Sequence, residues 1–330
     1  MVNRTLGQSG IAISPMGMGC WSYGGGAYWG AQSQKDVNDV VAAALDRGLN
    51  FFDTAEMYND GASELSLGEA LKGKRDKAVV STKIGPAFCK RKLLFEHCDA
   101  SLKRLQMDYV DCYMLHWPLN PVSLKHFTSD PALLADPPTA EETFSGLEEL
   151  KKQGKIRSIG VSNFGRKQLE EALKTGMQID VNEITYNLLS RAIEKDILPF
   201  CIENGISVVG SMALQQGLLA GIYKTPESVP AAQAHSRHFS AARGGEQSRH
   251  TGPGAEKEVF DAISAIQKIA QEQQMHIAQL AIAWVLEKQG VAATLVGSRN
   301  LSELESNIRA AGVTLSADVV SELDRVSRPV

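Results

Sequence analysis

NFFDTAEMY, residues 50–58, is the stretch of sequence that decides the fold. Its adjacent phenylalanines and β-prone neighbours are typical of a short strand buried on both faces, as in a parallel sheet. A polar residue, Asp53, closes this strand, and Tyr58 follows five positions later. In barrels of parallel strands, polar residues at the carboxyl ends of strands are typical of active sites. The stretch therefore predicts both a buried strand and candidate functional residues.

Further apolar runs of the same kind alternate with amphipathic stretches along the chain. The eight candidate strands are residues 16–21, 50–55, 78–84, 109–116, 156–163, 180–187, 206–213 and 291–298. Between them lie helical patterns such as residues 35–48 and 142–155, in which apolar residues recur at three and four. Eight strand–helix units predict an α/β fold, a closed (β/α)8 TIM barrel rather than an open doubly wound sheet. Because barrels of this kind reach 330 residues as one unit, we expect residues 1–330 to form a single domain.

Three segments depart from a minimal barrel. Residues 5–14, with short β-prone runs around Gln-Ser-Gly, predict an N-terminal β-hairpin that covers one end of the barrel. Long loops follow the fourth and seventh strands, at residues 117–138 and 215–254. Both loops leave carboxyl ends of strands, the face on which barrel active sites lie, so we expect them to be functional.

Composition narrows the class of partner. The chain is 43% hydrophobic and 22% charged, with a formal net charge of −4, so nothing in its charge favours nucleic acid or an anionic membrane. It shows no apolar signal segment or membrane span, and we expect a cytoplasmic protein. The odd, scattered cysteines predict reduced thiols, with neither disulfides nor a metal site, at positions Cys20, Cys89, Cys98, Cys112 and Cys201. A small molecule is the expected partner.

Polar residues of three consecutive candidate strands are expected to meet at one barrel mouth. Asp53, Lys83 and His116 lie at or near the ends of strands two, three and four, and Tyr58 follows strand two. A tyrosine with an ordinary pKa of about 10 is a poor proton donor near neutrality, whereas a neighbouring lysine cation lowers that pKa. An aspartate would keep the lysine charged, and a neutral histidine could orient a carbonyl oxygen. The set is suited to protonating an alkoxide as it forms.

Five motifs give the whole chain a family resemblance. They are DTAEMY at 53–58, STKI at 81–84, LHWP at 115–118, IGVSNF at 159–164 and VGSRNLSELESN at 296–307. In this order they resemble the aldo-keto reductase superfamily. The resemblance implies a (β/α)8 barrel that binds NADPH without a Rossmann domain and transfers hydride between nicotinamide and a carbonyl carbon. It implies that Tyr58 is the general acid/base, that Lys83 and Asp53 tune it, and that His116 orients the carbonyl.

The resemblance also implies positions that hold the nicotinamide end of the cofactor. Ser162 and Asn163 match the pair that binds the carboxamide, and Cys20 with Trp21 falls beside the cofactor. Glu183 stands where the family usually has glutamine, and an ionised glutamate accepts hydrogen bonds without donating them. At strand seven many members carry an aromatic residue that stacks on the nicotinamide. This chain has the smaller or flexible pair Ser211 and Met212.

The adenosine end is implied by the last motif. Gly297, Ser298 and Arg299 match the family's clamp for a 2′-phosphate, and Asn307 matches the asparagine that contacts adenine. Glu303, however, stands where arginine or glutamine is common, and a carboxylate there repels a phosphate and accepts from a free 2′-hydroxyl. The expected cofactor is NADPH, with NADH as the alternative.

Two groups of residues have open interpretations. Trp21, Tyr28 and Trp117 are predicted to form a substrate wall at the barrel mouth, with ordinary loop packing as the alternative. The loop at residues 235–250 carries arginines and histidines, and is interpreted either as a basic lid over an anionic ligand or as solvated charge. Its arginines are Arg237, Arg243 and Arg249.

The sequence as a whole predicts an NADP(H)-dependent reductase of a small-molecule aldehyde or ketone, with a keto or aldehydo sugar as the preferred substrate class. Two alternatives stay open. One is an NAD-dependent sugar dehydrogenase, favoured by Glu303. The other is a nicotinamide-binding regulatory subunit with slow turnover, similar to the barrel β-subunits of potassium channels. The expected assembly is a monomer or a small homo-oligomer.

Overall fold

A closed barrel of parallel strands organises the chain. The computed structural model describes residues 2–248 and 250–328. Within these residues the strands are β1 Arg4–Thr5, β2 Ala12–Ile13, β3 Met16–Gly19, β4 Phe51–Asp53, β5 Val79–Ile84, β6 Val110–Leu115, β7 Ile156–Ser162, β8 Val181–Thr185, β9 Ser207–Ser211 and β10 Val291–Val296. Strands β3 to β10 close a barrel in sequence order, and β10 pairs with β3 in parallel. The predicted (β/α)8 barrel is confirmed, and each predicted strand contains an observed one.

Helices lie between the barrel strands and after the last of them. They are α1 Gln34–Asp46, α2 Ala62–Ala70, α3 Arg91–Leu105, α4 Pro121–Phe127, α5 Pro131–Ala135, α6 Ala140–Lys152, α7 Arg166–Leu173, α8 Ile197–Glu203, α9 Ala241–Gly244, α10 Glu256–Glu272, α11 Ile277–Leu286, α12 Leu301–Ala311 and α13 Ala317–Ser327. The two predicted helices are confirmed as α1 and α6. Each begins at a side-chain cap, because Ser33 accepts from the amide of Asp36 and Thr139 accepts from the amide of Glu142.

The N-terminal hairpin closes the amino-terminal end of the barrel. Strands β1 and β2 pair antiparallel, and the side chains of Leu6, Ile11 and Ile13 share one buried cluster with the barrel interior. That cluster includes the first residues of three strands, Phe51, Val79 and Val181. The hairpin therefore seals the end at which the strands begin, as predicted, and the opposite end holds the candidate site.

The hairpin approaches the barrel closely at one glycine. Gly7 has a φ of +56°, and a Cβ atom added to it would lie 2.1 Å from the carbonyl oxygen of Asp180. Its amide donates a 2.8 Å hydrogen bond to the hydroxyl of Ser207, the first residue of β9. Only glycine combines this left-handed conformation with this approach.

The chain divides into two compact units. The first consists of residues 1–184, 194–209 and 290–305, and the second of residues 185–193, 210–289 and 306–330, each as far as it is described. Inside the second unit, the buried Trp284 ring lies 5.4 Å from the ring of Tyr186, and its Nε1 donates a 2.8 Å hydrogen bond to Asp324. The single-domain organisation of residues 1–330 stays a prediction.

The two predicted long loops contain short helices. Residues 117–138 include α4 and α5, and residues 215–254 include α9 together with several 3-10 turns. In the second loop, the Arg243 guanidinium binds both oxygens of Glu256 at 2.8 and 2.7 Å, and this contact lowers the pKa of Glu256 to about 2. Arg243 thus anchors the loop to α10 and does not offer its charge to a ligand. Arg249 lies outside the described residues, and the basic lid stays a prediction.

The histidines of this loop also have local contacts. The Nε2 atom of His238 lies 2.7 Å from the carbonyl oxygen of Leu189.

In residues 2–248 and 250–328, no group of three histidine, cysteine, aspartate or glutamate side chains could hold a metal ion. None of the helices described is both long and apolar enough to cross a membrane.

Candidate active site

Adjacent strands bring the predicted polar residues to one end of the barrel. Asp53 is the last residue of β4, Lys83 lies near the end of β5, and His116 directly follows β6. Because β4, β5 and β6 are parallel neighbours, their carboxyl ends share one face of the barrel. Tyr58 lies in the turn after β4, where its amide donates to the carbonyl of Ala55 at 3.1 Å. The structure therefore brings the four predicted residues together.

Consecutive left-handed residues hold the tyrosine turn in shape. Asn59, Asp60 and Gly61 have φ values of 52°, 53° and 83°. The side-chain amide of Asn59 donates 2.9 Å hydrogen bonds to the carbonyls of both Trp21 and Tyr23. An asparagine tolerates the left-handed region better than most residues, and here its side chain also joins two loops. The backbone after Tyr58 is therefore fixed from both sides.

Lys83 is the centre of the cluster. Its ammonium Nζ forms a short ion pair with Asp53 Oδ2 and donates to the carbonyl of Thr54 at 3.1 Å and to the Tyr58 hydroxyl at 3.3 Å. The hydroxyl of Ser81 donates to the other Asp53 oxygen at 2.6 Å, so both oxygens of that carboxylate are held. Burial opposes the charge on Lys83, but the carboxylates beside it outweigh burial and raise its pKa well above the ordinary value. Lys83 is therefore a buried cation at neutral pH.

The Tyr58 hydroxyl titrates differently from what the sequence predicted. Burial raises its pKa above the ordinary value, and the charge and hydrogen bond of Lys83 offset only part of that rise. The lysine acts in the predicted direction, yet the predicted net lowering is wrong because the removal of water from the phenolate is the larger effect. Tyr58 consequently keeps its proton at neutral pH.

His116 is a neutral ring beside the tyrosine. The two rings lie 5.5 Å apart at an interplanar angle of 77°. Burial, followed by the nearby Lys83 cation, lowers the pKa of His116 well below its ordinary value. Its Nδ1 atom is buried and has no hydrogen-bond partner among the described residues. The predicted neutral state of this histidine agrees with its surroundings.

The predicted carboxamide residues lie beside this cluster. Ser162 and Glu183 are register partners in β7 and β8, and the amide of Asn163 donates to the carbonyl of Glu183 at 2.8 Å. The Asn163 side chain, on a residue with a φ of 61°, donates to the carbonyl of His116 at 3.2 Å. The three residues therefore form one polar group that is continuous with the histidine.

Glu183 also contacts the lysine, which the sequence did not indicate. Its Oε2 atom lies 3.3 Å from Lys83 Nζ, and the residue is 4% exposed. The same oxygen has no hydrogen-bond partner among the described residues, and its contact with the ammonium is an ion pair. Burial, together with the nearby Asp53 carboxylate, raises the pKa of Glu183 to about 8.

An aromatic cluster lies next to Tyr58. The Trp21 ring stacks on Tyr28 at 5.2 Å and lies 5.9 Å from the Tyr58 ring. Trp29 meets Trp21 edge-on at 5.2 Å. Trp117 instead contacts the imidazole of His126, at 6.1 Å, in the loop after β6. Of the three predicted wall residues, Trp21 and Tyr28 form one surface beside the tyrosine.

The predicted phosphate clamp is partly engaged by the protein itself. The Arg299 guanidinium donates to the Gln32 side chain at 2.8 Å and to the carbonyl of Ala31 at 2.6 Å. Glu303 accepts from the amide of Arg299 at 2.9 Å and from the side chain of Asn300 at 2.8 Å. Asn300 in turn accepts from the amide of Glu303, so its side chain caps the start of α12.

The other predicted cofactor residues lie on several different elements of the structure. Cys20 is buried, and its amide donates to the carbonyl of Asp53 at 2.8 Å. Gly297 and Ser298 directly follow β10. Within the second unit, Ser211 ends β9, the Met212 carbonyl accepts from the Asn187 side chain at 2.8 Å, and Asn307 is buried on α12.

The sequence did not indicate several residues that contact the predicted site residues. Ser81 orients Asp53, Gln32 holds Arg299, and Phe127 lies 5.8 Å from the His116 ring. Ser81 had a usable signal, because it is two residues before Lys83 on the same strand and so faces the same side. Phe127 ends the short helix α4 and Gln32 lies in a loop, and in neither place does the spacing of residues indicate a contact with the site.

Comparisons with known proteins agree with this fold. The sequence profile of the Aldo/keto reductase family matches residues 15–328. The NADH-specific methylglyoxal reductase of Escherichia coli (strain K12) is 33% identical, with 94% of each chain covered. An aldo-keto reductase of Bacillus subtilis (strain 168) is 31% identical over 99% of this chain and 93% of its own.

Solved structures give the same picture. An aldo-keto reductase from Klebsiella pneumoniae in complex with NADPH is 28% identical, with a TM-score of 0.75 over 100% of this chain and 97% of its own. A glycerol dehydrogenase from Gluconobacter oxydans is 25% identical, with a TM-score of 0.79 over 98% of this chain and 94% of its own. The chain belongs to the aldo/keto reductase family, and it is an oxidoreductase of that family.

Proposed function

We propose that the protein reduces a small aldehyde or ketone to the alcohol with a nicotinamide dinucleotide, and that Tyr58 donates the proton. One observation carries this proposal: the Tyr58 hydroxyl lies 3.3 Å from a buried lysine cation that is itself paired with Asp53. A hydroxyl that is protonated at neutral pH and touches a fixed cation can release its proton to a strong base such as a forming alkoxide. The adjacent cation then stabilises the phenolate that results.

The residues around this centre fit a nicotinamide. A carboxamide needs both hydrogen-bond donors and acceptors, and the Ser162 hydroxyl, the Asn163 amide and the Glu183 carboxyl offer both at one place. The buried, unpartnered oxygen of Glu183 is an atom that such a group would satisfy. When bound, a reduced nicotinamide supplies the hydride for the carbonyl carbon.

The chain's own residues divide the remaining work. His116, held neutral, directs a ring N–H at the substrate oxygen and polarises the carbonyl without placing a second cation in the site. Tyr58 delivers the proton to the same oxygen, and Lys83 keeps the hydroxyl in place. Trp21 and Tyr28 exclude water from one side of the substrate.

The cofactor is proposed to be NADPH, with NADH also accepted. Arg299 supplies a cation for a 2′-phosphate, and the NADPH complex of the Klebsiella relative supports that choice. Glu303 instead favours NADH. Its carboxylate accepts from the amide of Arg299 at the N-terminus of α12, a place that would otherwise favour an anion such as a phosphate. The NADH-specific name of the Escherichia coli relative fits this second influence.

Replacing Glu303 with glutamine should shift the preference toward NADPH. Glutamine leaves the Asn300 cap of α12 in place but removes the negative charge, so the ratio of kcat/KM with NADPH to that with NADH is expected to rise about tenfold, or about 1.4 kcal/mol. Glu305→Gln is the matched control on the same helix, since Glu305 pairs with Arg47 instead. An unchanged ratio in Glu303→Gln would mean that Glu303 does not face the ribose.

The proposed substrate is a small polar carbonyl compound. The name of the methylglyoxal reductase supports a short aldehyde, and the aromatic surface of Trp21 and Tyr28 also suits the face of a sugar. Two other functions compete. The glycerol dehydrogenase relative supports an oxidative polyol dehydrogenase, and the regulatory-subunit interpretation requires binding with slow turnover.

Turnover measurements distinguish these functions. Purified protein is expected to oxidise NADPH or NADH, followed by nicotinamide absorbance, with methylglyoxal, other short aldehydes or sugar carbonyls. Reduction of the oxidised cofactor by polyols, with little reductive turnover, would favour the dehydrogenase. Cofactor binding by fluorescence without turnover in either direction would reject the reductase and favour the regulatory subunit.

A further inference from the structure

The buried cluster around Lys83 has one carboxyl group more than its cation can neutralise. Asp53 and Glu183 both face the ammonium, through a short ion pair and at 3.3 Å respectively. If both acids were ionised, the group would carry a net negative charge in a region where Lys83 is fully buried and both acids nearly so. Uncompensated charge away from water is strongly unfavourable. Protonation of one of the two acids is therefore energetically favoured.

Their contacts decide which acid holds it. Asp53 accepts from Lys83 through one oxygen and from Ser81 through the other, so hydrogen bonds favour its ionised form. The Oε2 atom of Glu183 receives no hydrogen bond from the described residues. Both oxygens of Asp53 are therefore held, whereas Oε2 of Glu183 is not, and this difference favours the proton on Glu183.

The remaining groups that face Glu183 do not supply a second cation. Asp53 and Tyr58 come from β4 and its following turn, Lys83 from β5, and Cys112 from β6. Burial raises the pKa of both the Tyr58 hydroxyl and the Cys112 thiol, so these two are neutral. The pKa of Glu183 itself, raised by burial to about 8, agrees with the geometry.

We propose that Glu183 is a positioning residue that exchanges a proton with solvent in the working pH range and thereby sets how readily Tyr58 gives up its own proton. This inference rests on the proposed function, because it assigns Glu183 an effect on that reaction. It concerns this chain in particular, since a glutamine at this position has no proton to exchange.

The two states of Glu183 have opposite effects. Protonated Glu183 is neutral and can donate a hydrogen bond to a carboxamide oxygen, as glutamine does. Ionised Glu183 raises the pKa of Tyr58, which makes the tyrosine a weaker proton donor. The same negative charge attracts the positively charged ring of an oxidised nicotinamide and not the neutral ring of the reduced form. Rising pH should therefore slow carbonyl reduction and strengthen binding of the oxidised cofactor.

The first test measures stability and needs no turnover. In the wild type, Glu183 has a folded pKa of about 8, above that of an unfolded glutamate, so stability is lost as pH rises toward that value. Glu183→Gln lacks this titration, and its Tm relative to wild type is expected to increase between about pH 5 and about pH 8 and to level off above that. A Tm difference that is constant over this range would overturn the proposal.

The second test measures cofactor binding and catalysis. For the wild type, the ratio of affinities for oxidised and reduced cofactor, from fluorescence titration, is expected to rise about tenfold between about pH 6 and about pH 9. For Glu183→Gln that ratio should stay constant. The kcat/KM for carbonyl reduction should fall above about pH 8 in the wild type, and only at higher pH in the variant.

Glu64→Gln is the matched control. Glu64 is also a fully buried carboxylate, but it binds Thr82 and Arg104 away from the cluster. It should lower Tm without changing the pH profile. Identical pH profiles in wild type and Glu183→Gln, with turnover in both, would overturn the inference and leave the proposed function intact. Absence of turnover in all three proteins would reject the proposed function, and the Tm comparison would still decide the proton exchange.

Discussion

Replacement of Tyr58 by phenylalanine is expected to lower kcat for carbonyl reduction about 100- to 10,000-fold, the usual contribution of a general acid. The substitution removes only the hydroxyl that touches Lys83. The ring contacts with Trp21 and His116, at 5.9 and 5.5 Å, do not depend on that oxygen. Folding and cofactor affinity should consequently remain close to those of the wild type, while proton delivery fails.

Steady-state kinetics and fluorescence titration of the cofactor together check this expectation. Tyr113→Phe is a suitable control, because Tyr113 is a fully buried tyrosine on β6 whose hydroxyl has no hydrogen-bond partner among the described residues. Its kcat should be near that of the wild type. If Tyr58→Phe kept most of its kcat, the proton would have to come from another group, and the proposed role of Tyr58 would be wrong.

The cluster could be predicted from sequence where neighbouring strands supplied it. Asp53, Lys83 and His116 lie at or next to the carboxyl ends of three consecutive strands. Because consecutive parallel strands in a barrel are neighbours, their meeting follows from strand order alone. The strands themselves were predictable for a different reason, because strands buried on both faces are continuous apolar runs. The hairpin was predictable from its turn residues and short β-prone runs, and the antiparallel pairing of β1 with β2 confirms it.

The contacts that were not predicted depend on how the barrel closes. Lys83 on β5 and Glu183 on β8 are separated by two strands, and their side chains meet only through the barrel interior. No spacing in the sequence records that distance. The direction of the Tyr58 pKa was also missed, since the size of the burial effect depends on the complete surroundings of the hydroxyl. The hydrogen bond between Arg299 and Gln32, which are 267 residues apart in the sequence, was likewise not predictable from spacing.

Replacement of Lys83 by methionine is expected to have the largest effect on stability, a loss of about 3–5 kcal/mol in the free energy of unfolding. Methionine has a similar length and fills the space, so the loss comes from charge rather than from a cavity. It leaves Asp53 without its cation in a fully buried setting, with Glu183 nearby. Carbonyl reduction should fall as well, because the Tyr58 hydroxyl loses its contact with the ammonium. Urea unfolding at neutral pH and steady-state kinetics measure the two losses.

A double variant separates the lost ion pair from a general disturbance of the core. In Lys83→Met with Asp53→Asn the orphaned carboxylate is gone, so the double variant should be more stable than Lys83→Met alone, a coupling of the kind that double-mutant cycles measure. The single variant should also gain stability as pH falls, because an unpaired buried aspartate has a raised pKa and takes up a proton in the folded state. A single variant as stable as the wild type, or a double variant that loses the sum of both single effects, would show that Asp53 is not held by Lys83. Since Asp53 keeps the lysine charged in the proposed reaction, that result would also remove the physical basis for assigning the proton transfer to Tyr58.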